Sequence, residues 1–205
     1  MSKRDTELSW IYRIAKEAVS VFEQNGLPCC LIGSAAAELW CYKPFGRDYY
    51  RVPDDIDLVV MAANADAEDL KRLLAEHGSG FTLDNAWDPT KTYKIVKYNA
   101  EPPLVERSTE WKLDILVPGD LDIPLIPEAR FIQLSMRLPD ATYTLPCMPL
   151  LPLLILKLHG WSNIRNDKQC KDVRKLLHLA EHSGVTWASF RRLPAEFPAS
   201  TCRVY

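Results

Sequence analysis

The sequence predicts an α+β fold, in which a small mixed sheet flanked by helices precedes a C-terminal helical part. Two observations support this prediction. Apolar runs of strand length alternate with segments of helical periodicity up to about residue 148. From residue 149 onward the pattern is mostly helical. We therefore expect an α/β core over residues 1–148 and a helical tail over residues 149–205 that packs on this core.

The first three elements are a helix, a strand and a second helix. Apolar residues recur at helical spacing over residues 6–25, and a glycine then stops this helix. A short apolar run over residues 29–32 predicts a strand that ends at Gly33-Ser34. Good helix formers follow over residues 35–41. This order predicts a tight turn between the strand and the second helix.

The remaining core elements are mostly strands. An apolar run predicts a strand over residues 56–61, and leucines on one side predict a helix over residues 66–77. Alternating patterns predict strands over residues 92–98 and 111–117, with short strands over 130–134 and 143–145. The tail has helices over residues 152–161 and 168–182, and a proline is tolerated in the first turn of the former.

Composition and charge exclude several classes of protein. The chain of 205 residues is 47% hydrophobic and 25% charged, which is typical of a folded domain and not of a disordered one. Its formal net charge of -2 argues against a long groove for DNA. The polar N-terminus is no secretory signal, and no apolar run reaches the roughly 18 residues of a membrane span. Six cysteines without a C-x-x-C pair favour a reducing, cytoplasmic location.

The pair Asp55 and Asp57 is the most informative motif. Strand side chains alternate, so two carboxylates spaced i, i+2 at the mouth of an apolar strand point to the same face. Like charges held side by side are unfavourable unless a cation lies between them, and oxygen ligands of this kind suit Mg²⁺. The alternative is that Asp55 belongs to a turn and that Asp57 bonds a neighbouring loop N–H.

Asp114 is a third carboxylate in an apolar strand, on the face opposite Leu113 and Ile115. If this strand lies next to the Asp55–Asp57 strand, three carboxylates converge. Such a set can hold two Mg²⁺ ions about 3.5–4 Å apart, which activate an attacking oxygen and stabilise a leaving pyrophosphate. The alternative for Asp114 is a salt bridge with a nearby lysine or arginine.

Gly33-Ser34 and the tail residues suggest contacts to phosphate. A glycine lets a ligand approach the backbone, and the N–H groups of a helix N-terminus favour a phosphate oxygen, although the same dipeptide is often a turn with a helix cap. Lys157 lies among leucines, and Lys171 precedes Asp172 on the next helix. They form either a cationic wall for a triphosphate or an internal ion pair between Lys157 and Asp172.

Taken in chain order, these pieces resemble the nucleotidyltransferase superfamily of the DNA-polymerase-beta type. The order is a strand, Gly33-Ser34, a helix, Arg51-x-Pro-x-Asp55-Ile-Asp57 on a second strand, and Asp114 on a later strand. Within the superfamily, the chain is most similar to the minimal and AbiE-toxin-like branches and to uncharacterised fungal members. The resemblance covers roughly residues 28–180. The chain departs from the pattern in a longer connection around residues 42–50 and in Lys175, which replaces the second acid of the tail motif.

The resemblance implies a nucleotidyltransferase fold and a reaction. The protein would move an NMP from an NTP, with ATP expected, to a hydroxyl or phosphate of a small-molecule or RNA acceptor. Mg²⁺, with Mn²⁺ as an alternative, would be held by Asp55, Asp57 and Asp114. The nucleotide would contact Gly33, Ser34, Arg51, Lys157, Lys171 and Asp172.

Two further hypotheses stay open at the level of sequence. A transferase directed at RNA predicts a contiguous basic face around Arg165, Lys168, Lys171 and Arg174 that opens on the carboxylates. A non-catalytic nucleotide-binding or interaction module on the same fold is the other alternative. The intact set of carboxylates argues against it.

Overall fold

A computed structural model describes residues 1–46, 48–62, 64–78, 80–86, 90, 92–99 and 110–185. The described helices are α1 (Lys3–Gln24), α2 (Gly33–Phe45), α3 (Ala67–His77), α4 (Leu150–Ile164) and α5 (Asp167–His182). The described strands are β1 (Cys29–Leu31), β2 (Ile56–Val60), β3 (Phe81–Asn85), β4 (Lys94–Asn99), β5 (Glu110–Leu116), β6 (Ile132–Arg137) and β7 (Thr142–Cys147). Short 3₁₀ turns lie at Asp120–Asp122 and Glu128–Arg130.

The first helix begins and packs as its sequence dictates. The Ser2 side chain accepts a hydrogen bond from the backbone N–H of Asp5 at 3.1 Å, which satisfies one of the free N–H groups of the first turn. The apolar stripe of α1 is buried against β1, β2 and β7. This helix therefore covers one face of the sheet and leaves the opposite face to other elements.

The described strands form one mixed sheet in the order β3-β4-β5-β2-β1-β7-β6. The central pairs matter most for the site, because β2 pairs antiparallel with β1 and parallel with β5. All three residues of β1 are buried, as a central strand requires. The predicted α+β fold with a mixed sheet is thus confirmed.

One strand was not predicted from the sequence. β3 has the sequence Phe-Thr-Leu-Asp-Asn, and two of its residues, Asp84 and Asn85, are of types depleted in strands generally. It forms because it lies at the edge of the sheet, where it pairs with β4 and buries Phe81 while the polar side chains face solvent. Tertiary pairing, and not local propensity, determines this element.

The helices of the tail share the core of the sheet. Leu153 and Leu154 of α4 and Leu176 of α5 are fully buried and belong to the same hydrophobic core as the central strands. Both helices also pack on α2. The boundary near residue 148 stays a prediction. The part of the tail beyond residue 185 lies outside the described residues.

The long connection after α2 packs on the tail. The Phe45 ring stacks on His178 of α5 with centroids 4.9 Å apart, and the Tyr49 hydroxyl lies 2.7 Å from Nδ1 of His178. This insertion therefore fastens the end of α2 to α5 on the outside of the molecule.

Two smaller expectations concern thiols and membranes. Cys29, Cys30, Cys41 and Cys147 are free and buried, as expected of core thiols, and burial raises the pKa of the Cys29 thiol to about 12. Over the described ranges, no helix combines the length and the apolar composition that a bilayer crossing requires.

Candidate active site

The three acidic residues predicted from the sequence converge on one face of the sheet. The parallel register of β2 and β5 places Asp57 directly beside Asp114, and Asp55 lies just before β2. One carboxylate oxygen from each of the three lies within 4.8 Å of the others. Neighbouring residues of each strand point to the opposite face, where Ile56, Leu58 and Leu113 are buried in the core.

Burial and like charge raise the pKa values of the cluster. Burial, and then the negative charge of Asp55, raise the pKa of Asp57 to about 7, while Lys157 acts in the opposite direction. Burial, and then Asp55, also raises the pKa of Asp114. Like-charged carboxylates at this separation favour either protonation or a bound cation.

The donor set fits a divalent cation. It consists of three carboxylates, and hard oxygen ligands of this type suit Mg²⁺ or Mn²⁺. After burial, the like charge of Asp55 raises the pKa of both Asp57 and Asp114, and a bound cation would offset this repulsion. Asp55, Asp57 and Asp114 are therefore the residues that could hold a metal.

Gly33 lets the carboxylate of Asp57 reach the start of α2. Its φ is +63°, and a Cβ added at this position would lie 1.7 Å from Oδ2 of Asp57. No side chain of the residue before the helix caps it, and the backbone N–H of Ser34 instead donates to the Asp57 carboxylate. Asp57 therefore accepts a backbone hydrogen bond from the first turn of α2, and not from a loop N–H as in the alternative given above.

Arg51 and Asp172 form a buried clamp between the core and the tail. The Arg51 Nε donates to both carboxylate oxygens of Asp172 at 3.0 and 3.1 Å, and Nη2 donates to Oδ2 at 2.9 Å. Arg51 also pairs with Asp54 at 3.0 Å. Asp172 is only 2% exposed. These contacts join α5 to the loop that carries Asp55.

The Ser34 hydroxyl connects this clamp to Lys157. Its oxygen accepts hydrogen bonds from Nη2 of Arg51 at 2.6 Å and from Nζ of Lys157 at 3.1 Å. Nζ of Lys157 lies 4.0 Å from Asp172, so the internal ion pair is formed. Burial lowers the pKa of Lys157, and the charges of Asp172 and Asp57 oppose this.

The structure does not bring every predicted residue into this cluster. Lys171 is exposed on α5, as are Lys168 and Arg174, and Arg165 is exposed between α4 and α5. Lys168 forms an ion pair with Asp54, next to Asp55 in sequence. One basic side chain of α5 therefore reaches the loop that carries Asp55.

A cavity of about 190 Å³ opens beside Asp57. Gly33, Asp57 and Lys157 form part of its wall. The remaining walls are Ile32, Leu116, Leu121, Ile123, Leu153, Leu156, His159, Gly160, Asn163 and Gln169. This cavity is not predicted from the sequence, because its walls come from five separate segments. The one available sign was a glycine inside helix α4.

Known structures of the same fold agree with this architecture. No protein-family model and no curated protein sequence matches the chain. The structure is similar to an antigenic nucleotidyltransferase-like protein from Paracoccidioides brasiliensis, with 15% identity and a TM-score of 0.60 over 87% of this chain and 77% of that one. It is also similar to ANT(2'')-Ia in complex with adenylyl-2''-tobramycin, with 13% identity and a TM-score of 0.50 over 88% of this chain and 96% of that one. The chain thus has the nucleotidyltransferase fold, which the resemblance in sequence implied.

Proposed function

We propose that the protein is a nucleotidyltransferase that moves an NMP from an NTP to a hydroxyl or phosphate oxygen of an acceptor. The observation that carries this proposal is the convergence of Asp55, Asp57 and Asp114 beside the Gly33-Ser34 turn. A fold alone does not define a reaction, whereas a site of this chemistry supports one. ATP is the expected donor, and ANT(2'')-Ia, of the same fold, holds an adenylylated product.

In the proposed reaction, the acceptor oxygen attacks the α-phosphorus of the NTP. The bond from the α-phosphorus to the oxygen that bridges it to the β-phosphate breaks, and pyrophosphate leaves. When bound, Mg²⁺ or Mn²⁺ would neutralise the developing charge and activate the attacking oxygen. Asp114 is the most exposed of the three carboxylates and would take the proton of the acceptor hydroxyl.

The other residues of the site bind the substrate and orient the loop before β2. Lys157 lines the cavity and places a cation beside Gly33 and Ser34, where we propose that the phosphates lie. Arg51 and Asp172 hold each other, so we propose that they position the loop before β2 instead of making the main contacts to phosphate.

RNA is the second candidate for the acceptor. The exposed basic residues of α5, with Lys168 paired to Asp54, give a polyanion a route to the carboxylates. The double variant Lys171→Glu and Arg174→Glu should reduce labelling of RNA and leave labelling of a small acceptor unchanged. Equal loss with both acceptors would contradict an RNA-binding role for this face.

The test of the reaction uses labelled NTPs, Mg²⁺ or Mn²⁺ and a cell extract that supplies the acceptor. We expect transfer by the wild type and about a 1,000-fold lower rate in Asp57→Asn, because a carboxylate that would hold the metal is lost. The matched control is Asp69→Asn, at an exposed position on α3. Full activity of Asp57→Asn with saturating Mg²⁺ and NTP would refute the assignment.

Calorimetry separates this proposal from the non-catalytic alternative. Binding of Mg-NTP without transfer to any acceptor would favour a nucleotide-binding module, and failure to bind Mg-NTP would favour an interaction module. A cytoplasmic location stays a prediction from the sequence.

A further inference from the structure

Gly160 leaves part of the cavity wall of α4 without a side chain. It lies inside the helix, where glycine is less favourable than alanine because it loses more backbone entropy on folding. A Cβ added at Gly160 would meet no atom within 4 Å. The packing of the protein therefore does not require glycine here, and the position faces open space in the cavity.

The walls of the cavity suit a flat, apolar group. Leu116, Leu153 and Leu156 line it from the sheet and α4, and Leu121 and Ile123 from the loop after β5. An engineered apolar cavity of about 150 Å³ binds benzene, so a cavity of about 190 Å³ has room for one planar ring. It is smaller than the roughly 300 Å³ or more of a pocket for a whole ligand, so it takes one part of a larger molecule.

Leu121 and Gln169 point to a ligand with both an apolar and a polar part. Leu121 is 72% exposed and has a φ of +48°, an uncommon conformation for a leucine and one that clusters at ligand sites. Oε1 of Gln169 is buried without a hydrogen-bond partner among the described residues. A buried acceptor of this kind needs an N–H or O–H donor, and a nucleobase with an amino group supplies one.

The position of the cavity identifies which part of the substrate it would hold. Its lining includes Gly33 and Lys157, assigned above to phosphate, and Asp57, which lies against Gly33. Asp55 and Asp114 do not line the cavity. The apolar walls disfavour a further phosphate or a cationic acceptor.

We propose that this cavity holds the nucleobase of the NTP, and that Gly160 determines its depth. The inference rests on the proposed function and extends it, because it names the part of the chain that selects the base. A ring in the cavity lies against the bare backbone of Gly160 and the leucines, with its amino edge toward Gln169.

The test is a binding experiment that does not depend on turnover. We measure the affinities of the wild type, Gly160→Ala and Gly160→Leu for ATP and for inorganic tripolyphosphate, each with Mg²⁺. We expect Gly160→Leu to weaken ATP binding about tenfold or more, because it fills the space of the ring. Its affinity for tripolyphosphate, which has no base, should stay within about twofold of the wild type.

Gly160→Ala is the control for a loss of folding. It should raise Tm, because alanine favours the helix and its Cβ meets no atom, and still weaken ATP binding. Gln169→Leu should weaken binding of ATP more than binding of purine riboside triphosphate, because only ATP carries the amino donor.

The outcomes separate the two proposals. Unchanged ATP binding by Gly160→Leu would overturn the nucleobase assignment and leave the proposed reaction standing. Equal weakening of ATP and tripolyphosphate binding would overturn it as well. If the wild type binds neither ATP nor tripolyphosphate with Mg²⁺, both proposals are refuted.

Discussion

Gly33 begins α2, has a left-handed backbone conformation and lies against the Asp57 carboxylate. The φ of +63° favours glycine, and the position of Asp57 leaves no room for a Cβ. These are two separate demands on one residue. Gly26 makes only the first demand, which allows the two to be tested separately.

We predict that Gly33→Ala loses both stability and activity. The left-handed conformation should lower the free energy of unfolding by about 1–2 kcal/mol, and displacement of Asp57 should lower the transfer rate about 100-fold. Urea unfolding and a rate measurement on the same preparation check this.

The matched control for this prediction is Gly26→Ala. Gly26 has a φ of +69° and nothing within 4 Å of an added Cβ. It should show a similar loss of stability with an unchanged rate. If Gly33→Ala retains the wild-type rate, the close approach of Asp57 to Gly33 is not needed for the reaction.

At the scale of elements, α5 is held to the core by charge as well as by leucines. Asp172 is buried and accepts three hydrogen bonds from Arg51, which lies on the loop before β2. Since the same loop carries Asp55, the docking of α5 and the position of a site carboxylate depend on one ion pair.

We predict that Asp172→Asn lowers the free energy of unfolding by about 3 kcal/mol, because Arg51 and Lys157 then lose their shared counter-charge. Urea unfolding measures the change. Arg174→Gln, at an exposed position of the same helix, is the control and should change the value by less than about 0.5 kcal/mol. An Asp172→Asn protein as stable as the wild type would show that the leucines alone dock α5.

The elements also show where sequence reasoning succeeds and where it ends. Periodicity predicted α1, α3 and α5, because each has an apolar stripe that must be buried, and a run of good helix formers predicted α2. Periodicity did not predict β3, whose strand conformation depends on its neighbour β4. The sequence also did not decide whether Asp172 contacts a ligand or forms an ion pair, because local sequence does not show which side chains lie in contact.

At the scale of the whole molecule, stability should depend on pH through Glu38. This carboxyl of α2 is 1% exposed and accepts a hydrogen bond from Arg4 of α1 at 2.7 Å. Its second oxygen has no hydrogen-bond partner among the residues that the structure describes. Burial outweighs Arg4 and raises the pKa of Glu38 from 4.5 to about 7.

We predict that the free energy of unfolding falls as pH rises from about 4.5 to about 7. In this window Glu38 of the folded protein keeps a proton that the unfolded chain has released. Its stabilising contribution is therefore complete below pH 4.5 and lost above about pH 7. Urea unfolding across this range should show a shallower slope for Glu38→Gln than for the wild type. Identical slopes would mean that Glu38 is ionised in the fold at these pH values.

From the sequence, the site could be predicted only on the condition that the two strands with aspartates are neighbours in the sheet. The sequence indicated that Asp55 and Asp57 share a face and that Asp114 lies in a strand, but their convergence depended on which strands are neighbours. The pairing of β2 with β5 supplies that information. The cavity could not be predicted, because its walls come from segments that only the fold brings together.

The pairing of β2 with β5 also has a consequence for folding. Asp57 and Asp114 are far apart in the chain, and a contact between such distant segments forms slowly. A shift of β5 by one residue would turn Asp114 toward the core, so only the native register completes the cluster. That register also brings like charges together. The repulsion between the carboxylates of the site therefore opposes the pairing of β2 with β5 that brings them together. Burial of the apolar residues on the other face of these strands must outweigh this repulsion.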